Sequence, residues 1–299
     1  MNCKEVFALE SIRQIKTRII SIKSTQKIIK AMNLISSVKL GKMKKQASES
    51  KLFPEQLLLT LGRLMSQSGL EDFTHPLLEK YPNKKIGYCI FSSDRGLCGG
   101  YNHAVFAAAE KHLSQQKQPV EIFALGKMAA QYFSKAGYEI RFEESGFYQD
   151  RIDYQHTRFL AREMQKLYSS GKYEKIYFVY NDFISVLKQE VRIYQALPLN
   201  ALVASVSSTQ EIDYFFDTPL LALAESMLQE YWDGLIYAVA IAAKTAEYAS
   251  RMRAMDAASK NASEMLKDLQ LRYNRIRQGL ITSQIIEIAV AADLMLNED

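Results

Sequence analysis

The sequence has 299 residues, of which 48% are hydrophobic and 24% are charged, values that are ordinary for a soluble globular chain. Three cysteines, an odd number without metal-ligand spacing, argue against a disulfide framework. Because neither a secretory leader nor a run of about 20 apolar residues is evident, we expect a protein of the cytoplasm or of the cytoplasmic side of a membrane.

The net charge of +5 is unevenly distributed. Ser11–Lys45 contains ten Lys and Arg residues and no Asp or Glu, which leaves 28 basic against 33 acidic residues elsewhere. The basic character of the chain therefore belongs to one N-terminal arm.

This arm, from about Leu9 to Ser68, is predicted to be a long helix. Isoleucines recur in it at the three- and four-residue steps of a coiled coil, with one break at Gln26; they are Ile12, Ile15, Ile19, Ile22 and Ile29. A basic stripe runs beside them, consisting of Arg13, Lys16, Lys23, Lys27 and Lys30. Solvent or an acidic partner would explain the stripe. Nucleic acid is one such partner, although no aromatic residue between Phe7 and Phe53 is available to stack on bases.

The middle of the chain, about His75 to Pro219, contains five of the six prolines. Short β-rich runs alternate there with helical ones, which is typical of a mainly parallel α/β domain. The predicted strands are Lys85–Phe91, Val120–Leu125, Tyr138–Phe142 and Ile176–Asn181, with additional strands at Leu187–Leu197 and Ile212–Phe216. The predicted helices are Tyr101–Gln116, Lys127–Ala136 and Ile152–Gly171, and Val203–Thr209 is predicted to be a loop.

The last predicted element is a helix from Leu220 to Leu296, a stretch without proline. One seam in it consists of Ala262, Leu266, Leu269, Tyr273, Ile276 and Leu280, and a second of Ile281, Ile285, Ile288, Ala292 and Met295. In Leu280–Leu296, 12 of 17 residues are apolar and point in all directions around the helix, so this tip is predicted to be buried in a protein socket.

Length arguments connect the two terminal helices. At 1.5 Å per residue they would be about 85 Å and 115 Å long. A domain of about 140 residues is only about 35–40 Å across, so it cannot bury them both. We therefore expect an antiparallel helical pair that carries an inserted α/β domain, with boundaries at 1–70, 71–218 and 219–299.

Candidate chemistry in the middle domain is sparse. The turn Ser92–Tyr101 is rich in glycine but has neither a GxGxxG pattern nor a phosphate-binding lysine. Cys98 and His103 could act as nucleophile and base, but no third orienting residue is evident. His75, His112 and His156 show no ligand spacing. We therefore predict no catalytic residue, no metal site and no cofactor.

Several motifs in the same order resemble the gamma subunit of F-type ATP synthase over about Leu9 to Ile288. They are Ser24-Thr25-Gln26-Lys27-Ile28-Ile29-Lys30-Ala31-Met32, Ser93-Asp94-Arg95-Gly96-Leu97-Cys98-Gly99-Gly100-Tyr101-Asn102, Ser250-Arg251-Met252 with Ala254-Met255, and Asn274-Arg275-Ile276-Arg277-Gln278 with Ile281-Thr282. The resemblance implies a mixed α/β fold in which a long antiparallel coiled coil carries a Rossmann-like domain.

The resemblance also implies a function and partners. The chain would be a non-catalytic rotating shaft that couples ion flow through a membrane c-ring to ATP synthesis or hydrolysis in a hexamer of alpha and beta subunits, with the epsilon subunit alongside. The complex would place it at the cytoplasmic face of a bacterial inner membrane. The residues that match the family's contacts with the beta subunit are Lys27, Lys30, Met32, Arg251, Gln278 and Thr282. Those that match its contacts with the c-ring are Tyr214, Phe216 and Asp217.

The sequence departs from the family pattern at Glu247-Tyr248-Ala249-Ser250-Arg251-Met252, where the family has Glu-His-Ala-Ala-Arg-Met, and again in the tip. Two alternatives stay open from the residues alone. One is an α/β enzyme that uses Cys98, and the other is a coiled-coil protein that binds nucleic acid.

Overall fold

The computed structural model describes the backbone of residues 3–66, 70, 73–146, 152–200, 202–203 and 219–296, and the side chains of these residues except 3–11 and 291–296. Two compact units are formed, one by residues 1–35 with 252–299 and the other by residues 36–251. The predicted domain limits at residues 70 and 218 stay a prediction.

Two long helices lie at the ends of the chain, α1 (Cys3–Leu64) and α5 (Leu220–Leu296), and each contributes a segment to both units. Between them lie α2 (Tyr101–Leu113), α3 (Lys127–Lys135) and α4 (Tyr154–Ser169). The strands are β1 (Lys85–Phe91), β2 (Val120–Leu125), β3 (Ile140–Glu144), β4 (Tyr173–Phe183) and β5 (Gln189–Leu197).

In the unit of residues 1–35 and 252–299, the predicted seams determine which side chains are sheltered. Ile19 and Ala262 are buried, and Ile22, Leu266 and Leu269 are partly buried, whereas most neighbours of these residues are exposed. Gln26, the break in the isoleucine pattern, donates from Nε2 to the Ser263 hydroxyl at 2.7 Å. The interruption is therefore a polar contact between the two helices.

In the unit of residues 36–251, the heptad pattern of α1 continues further than the isoleucine run. Leu40, Met43, Ala47, Leu61 and Leu64 are all buried at three- and four-residue steps or their multiples. Here α1 and α5 run antiparallel, since Gly234 lies against Phe53 and Ala224 packs with Leu64. The predicted antiparallel coiled coil is confirmed.

The sheet has the strand order β3-β2-β1-β4-β5. The strands β1 to β4 all run in the same direction, and β5 pairs antiparallel with β4. This confirms the predicted α/β domain. The strand β4 starts three residues earlier and ends two residues later than the predicted Ile176–Asn181. The predicted strand Ile212–Phe216 and most of the predicted loop Val203–Thr209 lie outside the described residues.

Both faces of the sheet are covered. One core contains Tyr88, Val105, Ala129, Phe133 and Val179, from the sheet and the helices α2 and α3. On the other face Trp232 of α5 packs against Phe178 and donates from its indole nitrogen to the Ala161 carbonyl of α4 at 2.8 Å. The helix α5 is thus part of the fold of this domain.

Candidate partner-binding surfaces

A basic face runs along the first half of α1. The five side chains of the predicted stripe are all exposed, and with the described residues none of them forms an ion pair; they are Arg13, Lys16, Lys23, Lys27 and Lys30. Apolar side chains lie exposed among them, including Ile20 and Ile28, each at 60%. Met32 is partly buried. This surface offers positive charge and apolar area together.

The tip of α5 has no shelter within the described part of the chain. Every side chain from residue 281 to 290 is exposed, and the large apolar ones are Ile281, Ile285, Ile286, Ile288 and Val290. Soluble monomers rarely expose so much contiguous apolar surface unless it binds something. Two residues of the predicted beta contact lie at its base: Gln278 and Thr282 are exposed, and the Thr282 hydroxyl donates to the Gln278 carbonyl at 2.9 Å.

The third predicted position on α5, Arg251, is buried instead. Its Nη1 donates to the Glu247 carboxylate at 2.5 Å, and its Nη2 donates to the carbonyls of Arg95 and Gly96 at 3.1 and 3.4 Å. The carboxylate of Glu247 also accepts from Lys244 at 3.0 Å. The sequence analysis missed Lys244 and Glu247, although three charges at helical spacing in an otherwise apolar run are a usable signal.

Burial acts on the charges of this network. It lowers the pKa of Lys244, which Glu247 only partly offsets. Burial also opposes the charge of Arg251, but Glu247 together with the nearby Cys98 and Tyr248 outweighs it, so the pKa of Arg251 is raised. Since Glu247 is 3% exposed, its carboxylate is the counter-charge for two buried cations.

The glycine-rich turn after β1 is closed by these contacts. Tyr101, at the start of α2, donates to the Ala243 carbonyl of α5 at 3.1 Å, and Arg251 binds the turn at residues 95 and 96. In doubly wound domains ligands bind at this edge of the sheet. Here α5 packs against the turn, so this edge of the sheet binds a helix of the same chain instead of a ligand.

Cys98 does not form the catalytic pair considered from the sequence. Its sulfur lies 3.7 Å from the Ser93 hydroxyl and 3.4 Å from the Asn102 amide nitrogen, whereas His103 is exposed. Burial raises the pKa of the Cys98 thiol, and the hydrogen bond with Ser93 only partly counters this. A thiol in this state is a poor nucleophile.

Two departures from the family motif have contacts of their own. The hydroxyl of Ser250 donates to the Gln189 side-chain oxygen at 2.6 Å, which ties α5 to the start of β5. The ring of Tyr248 lies 4.9 Å from the Lys244 ammonium and 5.8 Å from that of Lys39, distances at which a cation is attracted to an aromatic ring.

The remaining predicted residues, Tyr214, Phe216 and Asp217, lie outside the described residues. In the described part of the chain no three His, Cys, Asp or Glu side chains are grouped as metal ligands. None of the described helices contains a stretch apolar enough to cross a membrane.

Paired terminal helices that carry an inserted five-stranded α/β domain define the class of protein to which this chain belongs. The family model described as ATP synthase matches residues 11–294. Proteins named ATP synthase gamma chain are 33% identical over 284 residues in Pelotomaculum thermopropionicum and 36% identical over 288 residues in Exiguobacterium sibiricum. Each alignment covers 95% of this chain and 99% of the relative. The chain therefore belongs to the ATP synthase gamma-chain family.

Solved structures agree on the fold. A chain of the Euglena gracilis mitochondrial ATP synthase, from a structure of OSCP, F1 and the c-ring, superposes with a TM-score of 0.66 at 15% identity and covers 96% of this chain. A chain of the Tetrahymena thermophila central stalk and c-ring gives a TM-score of 0.57 at 16% identity and covers 78% of this chain. At these identities the likeness concerns the fold alone.

Proposed function

We propose that this chain is the central rotating shaft of an F-type ATP synthase. It couples ion flow through a membrane c-ring to ATP synthesis or hydrolysis in a hexamer of alpha and beta subunits. The observation that carries the proposal is the exposed apolar tip of α5 at the free end of a paired helix. A tip of this kind is suited to an apolar sleeve formed by other subunits.

The magnitude supports a real binding surface. Complete burial of an isoleucine or valine side chain contributes about 1.5–3 kcal/mol, and these side chains are about half exposed. The five large apolar residues of the tip could together contribute about 5 kcal/mol when a sleeve covers them. That is enough to hold the tip in place. Apolar contacts are not directional, so a sleeve that binds the tip through them would not resist its rotation.

The basic face of α1 is proposed to meet the acidic part of the beta subunit, through Lys27, Lys30 and Met32. Exposed charges attract over about 8 Å at physiological salt, which suits a contact that must slide. Gln278 and Thr282 are proposed as further beta contacts. Arg251 would contact beta through a guanidinium that is already bonded within the chain.

The other proposed partners are the epsilon subunit and the c-ring, the latter through Tyr214, Phe216 and Asp217. The chain would carry no catalytic residue of its own, because the nucleotide sites belong to the alpha and beta subunits. As part of this complex it would lie at the cytoplasmic face of the membrane as a peripheral subunit.

The test is reconstitution with alpha, beta, epsilon and the membrane sector, followed by ATP-driven ion pumping into vesicles. Deletion of Gln278–Asp299 is expected to lower pumping relative to ATP hydrolysis. A finer pair of variants is Ile288→Lys and Leu271→Lys, since the two residues lie on the same helix with 70% and 69% exposure. Only Ile288→Lys, in the tip, should reduce coupling. Unchanged pumping in both the deletion and Ile288→Lys would refute the role of the tip.

A further inference from the structure

The helix α5 is fastened to the α/β domain by many polar contacts. Besides Arg251 and Ser250, they include the bond from Trp232 to α4 and the ion pair of Arg158 with Asp233 at 3.0 Å. The helix α1 also has a polar contact with the sheet. Lys51 of α1 donates to Asp182 of β4 at 2.6 Å.

Asp182 is placed to join two elements. Its side chain is 4% exposed, and each of its oxygens lies beside a different cation. One oxygen accepts a hydrogen bond from Lys51, whereas the other forms an ion pair with Arg192 on β5, whose Nε lies 2.9 Å away. A buried carboxylate held between two cations has little freedom to move, so it forms a stiff link.

The apolar packing between α1 and the sheet is incomplete at this point. A groove of about 310 Å³ lies among α1, α5 and the strands β4 and β5, and it is lined by Lys51 and Asp182 together with Leu58, Tyr180 and Tyr194. The ion pair of Lys51 with Asp182 lies in the wall of this groove, so it links α1 to the sheet where apolar packing is incomplete.

We propose that Asp182 is a positioning residue that transmits load between the α/β domain and α1 through Lys51. The proposal rests on the proposed function, because it concerns the path of torque within a shaft. Torque that enters at the α/β domain would reach α5 through its many contacts and α1 through this ion pair. Both helices of the pair would then turn together with the domain.

The structure provides a matched pair of variants. Lys51→Met and Arg192→Met each remove one cation from the same carboxylate and leave the other in place. Both should therefore lower the melting temperature of the isolated chain by similar amounts. Only Lys51→Met cuts the link between α1 and the sheet, whereas Arg192→Met cuts a link within the sheet.

The measurement is the ratio of ATP-driven ion pumping to ATP hydrolysis in the reconstituted complex. Lys51→Met should lower this ratio at least about twofold, the low end of the effect expected for one coupling contact. Arg192→Met should leave the ratio unchanged, and Lys51→Arg should restore it. If Lys51→Met does not assemble, Lys51→Gln gives the same comparison.

Equal ratios in Lys51→Met and Arg192→Met would overturn the proposal and leave Asp182 with a role in stability alone. So would a failure of Lys51→Arg to restore the ratio. Failure of the proposed function would look different, because the wild-type chain itself would then not support ATP-driven pumping with its partner subunits.

Discussion

Replacement of Glu247 by Gln tests the buried network at the point where α5 meets the turn after β1. The carboxylate accepts from Lys244 at 3.0 Å and from Arg251 at 2.5 Å, and all three side chains are buried. Glu247→Gln keeps the shape of the side chain and removes its charge. The two buried cations then lose the carboxylate that they share.

Loss of one partner from a buried ion pair costs about 3–5 kcal/mol. Lys244 can reduce this cost by releasing its proton, because burial already lowers its pKa. We therefore expect the low end of the range, about 3 kcal/mol, which corresponds to a loss of roughly 6–12 °C in melting temperature for a unit of this size. The loss should shrink as the pH rises and Lys244 becomes neutral in the folded variant.

The assay is thermal unfolding followed by circular dichroism at neutral and alkaline pH. Glu190→Gln is the control, because Glu190 forms an ion pair with Lys188 at 2.8 Å in which both side chains are largely exposed. Such pairs contribute little, so no measurable shift is expected there. A Glu247→Gln melting temperature equal to that of the control would refute the argument that this carboxylate balances two buried cations.

Three other predictions concern single sites. Burial lowers the pKa of His75 below its usual 6.5 despite two nearby glutamates, so the stability that the neutral ring contributes should be fully present above pH 6.5 and be lost as the pH falls below it. His75→Asn should flatten this fall in a profile of melting temperature against pH, and an unchanged profile would contradict the prediction. Burial raises the pKa of Cys89 and Cys98, so a Cys3→Ser chain should react with a thiol reagent only when unfolded, and rapid native labelling would contradict this. Gln26→Leu should raise the stability of the helical pair by about 1 kcal/mol, because leucine would bury an apolar side chain at the seam position that the polar Gln26 now occupies. A lower melting temperature of the variant would contradict this prediction.

The helical seams could be predicted from the sequence because they depend on local spacing. The steps of three and four that include Ile19, Ile22, Leu266 and Leu269 predict which side chains turn towards a partner helix, and these are sheltered in the structure. The strands β1 and β2 likewise have the predicted bounds, because each is a short apolar run between turn residues.

Other features depend on residues that are distant in the sequence. Arg251 binds the carbonyls of Arg95 and Gly96, about 155 positions away, and no spacing rule relates them. The link from Lys51 to Asp182 spans 131 positions in the same way. Lys27 and Gln278 are exposed, and their proposed contacts would be made with other subunits, so the resemblance to a family suggests these contacts and the chain alone does not.

Rotation of this chain within the assembled complex can be observed directly. The alpha and beta subunits are fixed to a surface, and a bead is attached to a cysteine introduced at exposed Lys111 of α2 in a Cys3→Ser chain. If the chain is the rotating shaft, the bead turns continuously in one direction when ATP is added. Hydrolysis of ATP by the assembled complex without directed rotation of the bead would contradict it.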